Sequence, residues 1–184
     1  VAEELDPLKK LEIYRLILNR YKGMITEKET KPISEIRQKT APYQPLVKRL
    51  RDEFVSDMVP YDSRRYFMSA AERAIAYIRQ VKTCEFAFTF WVEFEEMDRL
   101  KIGTSLDKAI FLCALLRALD AEDCRVLVTR KNRSLVKFTH GSTSYVFVPE
   151  SGSLLVGEDV QKAFLDDPVT YSFNDLSYEN YDES

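Results

Sequence analysis

At 184 residues, 45% hydrophobic and 31% charged, the chain has the size and composition of one globular domain with an appendage, enough to bury a core without disulfide staples. Its longest purely apolar run, Ala109–Leu116, is far too short to span a bilayer, so no membrane partner is expected. The net charge of −3 argues against a nucleic-acid platform, although residues 1–80 carry +4 and residues 81–184 carry −7.

The N-terminus, VAEELDPLKK, lacks both a Met and a basic-then-apolar signal pattern, as in a processed chain or a piece of a longer one. Asp6 as N-cap and Pro7 at the first helical position open a helix over 7–22. Its face is Leu11, Tyr14, Leu18 and Tyr21, and Gly23 ends it. Residues 24–43 read as a polar connection with a short helix around Ile33–Lys39. Leu46, Leu50, Phe54 and Met58 step by four and predict a helix over 45–58, broken at Pro60-Tyr61-Asp62. Phe67, Ala71, Ala74, Ile78 and Val81 predict a helix over 64–82. The aromatic run 84–94, with Phe86, Phe88 and Phe90 alternating, suits a strand or an extended packed segment.

A short acidic helix, Glu95–Leu100, leads to Gly103 and the sequence TSLDKAIFLCALLRAL. This reads as an amphipathic helix burying Leu106, Ala109, Ile110, Cys113, Leu116 and Leu119, capped by Thr104 or Ser105, with Asp107 at its positive end. Three β-rich runs follow at 124–130, 134–139 and 143–149, separated by KNR and HGST turns, predicting an antiparallel meander. A last helix spans Gly157–Leu165, before an acidic, aromatic tail whose end is expected to be disordered. Helices followed by strands make the fold class α+β, with helices packed on a small antiparallel sheet. The expected divisions are an N-terminal helical extension (1–62), a core (63–170) and the tail (171–184).

Cys84, Cys113 and Cys124 form no CxxC pair, and His140 is the single histidine. No metal site or cofactor is therefore expected. The thiols read as core hydrophobes of a reducing, cytoplasmic compartment. Phosphate-loop and dinucleotide glycine patterns are absent.

Residues 67–149 resemble the transglutaminase-like domains of microbial, especially archaeal, proteins. The resemblance lies in FMSAAERAIAYIRQVK before an aromatic segment, FEEMDRLKIG, GTSLDKAIFLCALLRALDAEDCRVLV, and SLVKF…SYVFVP, in that order. It implies a papain-like core and a Cys-His-Asp triad in which a helix-start thiolate attacks an amide carbonyl. The three positions carry over to Ser105, Ser134 and Val148, none of which keeps the family residue. The resemblance thus implies a pseudoenzyme that binds a protein or peptide. Trp91 and Thr104 would line its groove, and Arg130, Lys131 and Arg133 would offer a basic hairpin tip. One alternative is a residual serine hydrolase or acyltransferase using Ser105 with His140 and Glu158 or Asp159. Against it, His140 precedes Gly141 at a hairpin tip, away from the helix start. The other is a nucleic-acid adaptor working through the basic first half and the tip at 129–133.

Overall fold

A computed structural model describes residues 7–181. Its elements, in order, are α1 (Pro7–Glu29), α2 (Ile33–Gln38), α3 (Pro45–Phe54), α4 (Ser63–Arg79), β1 (Lys82–Thr83), α5 (Phe94–Leu100), β2 (Ile102–Gly103), α6 (Ser105–Ala118), β3 (Glu122–Thr129), β4 (Ser134–His140), β5 (Thr143–Val148), β6 (Ser153–Val156), α7 (Glu158–Leu165), β7 (Val169–Phe173) and β8 (Tyr178–Asn180). The fold is α+β, and its main sheet is antiparallel throughout. Two compact units divide the chain: one joins α1 to Phe86–Trp91, and the other holds Ile33–Glu85 and the residues from Val92 on.

In the first unit, α1 continues through Gly23 to Glu29 rather than ending there. One glycine costs a helix only about 1 kcal/mol, and nothing after it caps the chain. The expected Asp6 cap lies outside the described residues. No residue of α1 is buried, and Leu11, Tyr14, Leu18 and Tyr21 are all exposed. The aromatic run forms no strand. Phe86 and Phe90 meet edge to face at 5.5 Å, and the Trp91 Nε1–H donates to the Glu29 carbonyl at 2.8 Å.

In the larger unit the sheet order is β6-β5-β4-β3-β7-β8. The expected meander is its β3-β4-β5 part. The segment read as a tail contributes two further strands, β7 paired to β3 and β8 paired to β7. Residues 182–184 lie outside the described residues. Phe147, Val136, Val126 and Phe173 stand opposite one another across four strands, all essentially inaccessible. Phe138, on the same face two residues from Val136, packs against Phe67 of α4. The other face gathers Leu127, Leu135, Val146 and Val148 with Val160 and Phe164 of α7. The sheet is thus covered by α4 and α6 on one side and α7 on the other.

Asp62, the last residue of the break at 60–62, caps α4 by accepting from the Arg64 amide at 3.0 Å. α3 is shorter than expected, ending at Phe54, with Met58 buried beyond it. The amphipathic reading of α6 is corrected: every residue from Asp107 to Leu116 is buried. Layers on both sides leave this helix no solvent face, so an all-round apolar sequence is what packing demands. A small parallel pair, β1 with β2, precedes it.

Candidate functional site

The start of α6 is built by close approach and capping. Gly103 leads into it, and a Cβ there would lie 3.3 Å from the Met97 Cε, so glycine lets β2 sit on α5. Thr104, not Ser105, is the N-cap. Its hydroxyl accepts from the Asp107 amide at 3.1 Å, and the Asp107 carboxylate accepts from the Thr104 amide at 3.1 Å and hydroxyl at 2.7 Å. This reciprocal box satisfies two of the free donors at the helix start. Burial pushes the Asp107 carboxyl above its usual range, although the Thr104 hydrogen bonds pull the other way. The Ser105 hydroxyl makes no hydrogen bond among the described residues. Thr104→Ala should therefore destabilise by about 0.5–2 kcal/mol in urea unfolding, and Ser105→Ala by a few tenths. Equal losses would contradict this assignment of the cap.

The carried-over positions are only partly brought together. Ser134 opens β4 and Val148 ends the neighbouring β5, so their backbones are close. Strand alternation places the Ser134 side chain with Val136 and Phe138, on the face of α4 and α6. The Val148 side chain lies on the other face, with α7. Sequence spacing did not reveal this half-turn difference, because parity depends on the register between strands.

His140 is the last residue of β4, beside the turn at Gly141 (φ +59°). It is half-buried, stacked on Phe67 at 5.1 Å between ring centroids. The cysteine beside the α6 start in space is Cys84, whose amide donates to the Gly103 carbonyl at 3.0 Å. Cys84 is half-buried rather than core. Burial, and then the Asp107 charge, push its thiol above the ordinary range, opposite to what an attacking thiolate needs. Cys113 and Cys124 are buried as expected, their sulfurs 3.7 Å apart.

The basic tip is organised by Asp167. Its carboxylate accepts from the Thr129 hydroxyl at 2.7 Å and the Lys131 amide at 2.9 Å. Burial raises the Asp167 carboxyl, but these bonds and the charges of Arg133 and Lys131 outweigh it and hold it below its usual range. Arg133 lies 3.7 Å from both Glu150 and Asp167, whereas Arg130 and Lys131 are exposed. Asp167→Asn should cost about 1–2 kcal/mol at neutral pH, the loss of a charge-assisted bond. The cost should shrink as pH falls through the depressed Asp167 pKa, because wild type then protonates as well. A pH-independent cost in thermal melts would contradict this. Trp91 belongs to the unit of α1, whereas Ser105, Ser134 and Val148 belong to the larger one.

No protein-family model, curated protein or solved structure matches this chain.

Sequence reasoning missed Lys108. It sits one residue past Asp107 and is only 4% exposed. Its ammonium donates to the Thr83 hydroxyl at 2.9 Å and the Pro149 carbonyl at 2.8 Å. No carboxylate is within salt-bridge reach of it among the described residues, and burial pulls its pKa below the usual lysine value. Lys108 borders a cavity of about 630 Å³ that Arg79, Lys82, Thr83, Glu150 and Gly152 also line. Arg79 Nε donates to the Gly152 carbonyl at 2.8 Å. Gly152 has φ +71°, and a Cβ there would come within 3.4 Å of the Arg79 Cγ, so the turn needs glycine. The available signal was a lysine placed directly before the apolar run Ala109–Leu116 of α6.

Proposed function

We propose that the chain is a non-catalytic, transglutaminase-like module with a papain-like core, and that it binds a protein or peptide. The observation that carries this reading is the start of α6. There the Thr104–Asp107 box brackets Ser105, the position that the resemblance gives to an activated nucleophile, and no described residue hydrogen-bonds the Ser105 hydroxyl to activate it. A serine hydroxyl is almost wholly un-ionised at neutral pH and needs a base to take its proton during attack. The only imidazole is stacked on Phe67 at the far end of β4 from Ser134. Val148, turned to the α7 face, offers no group that could orient a base. The order α4, α5, Gly103, α6, β3, β4, β5 agrees with the resemblance, and the cavity beside Lys108 is large enough for a few peptide atoms.

The residual-hydrolase alternative gains no support from this geometry. The nucleic-acid alternative is weakened because Arg133 has two carboxylates near it. The test is an assay of wild type, Ser105→Ala and Ser105→Cys with a fluorogenic amide, an ester and an amine donor, beside a peptide array probed with wild type. The expected result is no turnover by any of the three and binding to a subset of peptides. Turnover that disappears in Ser105→Ala, or an array with no bound peptide, would overturn the proposal.

A further inference from the structure

We infer that the Lys108 cavity is a carboxylate-binding site, and that the bound group is either a small organic acid or an acidic group of the peptide proposed above. The peptide version rests on the peptide-binding reading; the site itself does not. An ammonium has three donors, and Thr83 and Pro149 take two, which leaves one for a ligand. Lys108 is buried and lacks the carboxylate that a buried lysine ordinarily has beside it.

The cavity supplies the rest of an anion site. Arg79 uses its Nε on the Gly152 carbonyl, an anchor that fixes its guanidinium beside the cavity. Lys82 adds a second exposed cation from β1. Three cationic side chains face one carboxylate, Glu150, which itself lies 3.7 Å from Arg133. That balance leaves the lining net positive, which suits an anion. A carboxylate fits the planar fork of an arginine and accepts from an ammonium at the same time.

The test is calorimetric titration of the full chain with acetate, benzoate and inorganic phosphate. Two versions of an array-derived peptide follow, one with a free C-terminal carboxylate and one amidated. Wild type should bind a carboxylate more tightly than phosphate. Lys108→Met should weaken that binding at least about ten-fold, the usual effect of losing a hydrogen bond to a charged group. Arg79→Gln serves as a second variant on the cavity rim, and it too should weaken carboxylate binding. Weaker binding of the amidated peptide assigns the ligand to a chain end; equal binding together with acetate binding assigns it to a free acid or an acidic side chain. No carboxylate binding by wild type, tighter binding of phosphate, or unchanged affinity in both folded variants would overturn the inference. Small acids that bind where no peptide does would keep the site and defeat the peptide-binding reading. Peptide binding indifferent to Lys108 would do the reverse.

Discussion

Phe111→Ala should remove about 3–5 kcal/mol of stability, enough to unfold a large fraction of the protein near its working temperature. Phe111 is inaccessible, stacked on Phe94 with ring centroids 4.2 Å apart and edge-on to Tyr77 at 5.9 Å. α6 is packed on all sides, so the void left by the ring cannot be closed by moving the helix toward solvent. Tyr77 is in turn tied to Asp98 by a 2.6 Å hydrogen bond, and Asp98 to Arg49 and Lys101 at 2.9 and 2.8 Å, so the wall around Phe111 is stiff. Leu165→Ala is the control: at 77% exposure it should change stability by less than about 0.5 kcal/mol. Urea unfolding of both variants checks this, and a Phe111→Ala loss below about 1 kcal/mol would contradict a helix enclosed on every side.

Lys108→Met should act in the opposite direction, stabilising the fold by about 1–3 kcal/mol at neutral pH. A buried charge held only by neutral acceptors keeps part of its desolvation penalty, because no counter-charge offsets it, and methionine fills similar volume without that penalty. The Pro149 carbonyl is not orphaned by the change, because the Thr83 hydroxyl also donates to it at 3.3 Å. The sign with pH follows from the lowered Lys108 pKa. In the window between that value and the ordinary 10.5, the unfolded chain holds the proton and the folded chain does not. Stability from this group therefore rises as pH increases through that window, and Lys108→Met should lack the rise. Denaturant midpoints for both proteins from neutral to alkaline pH test it; a variant less stable than wild type at neutral pH would contradict it. A stabilising loss of Lys108 joined to weaker carboxylate binding would mark a residue kept for function at the expense of stability.

Helices α3 to α6 and the meander β3-β4-β5 were legible in the sequence from local signals, although the amphipathic reading of α6 implied a solvent face that it does not have. The break at 60–62 and a last helix at 157–165 were legible too, whereas the capping roles of Asp62 and Gly157 were not. α1 misled because periodicity reports an apolar face, not whether anything covers it: Leu11 and Leu18 have the spacing of a buried face and are exposed. β7 was hidden because the strand that ties it into the main sheet, β3, lies about forty residues earlier, a pairing that no local pattern in Val169–Phe173 announces. The candidate site was legible as positions along the chain and not as directions. Ser134 and Val148 were placed on neighbouring strands, but the faces they project to follow from a register that the sequence does not print. Lys108 draws its character from Thr83 and Pro149, 25 and 41 residues away, which no local pattern relates.

We propose that the start of α6 is a structural cap and not a reactive centre. Intact-mass and peptide mass spectrometry after incubation with a fluorophosphonate and an activated acyl ester tests it most directly. No adduct is expected on Ser105 beyond that on an exposed serine such as Ser151. Stoichiometric modification of Ser105, removed by Ser105→Ala in a protein that remains folded, would contradict it.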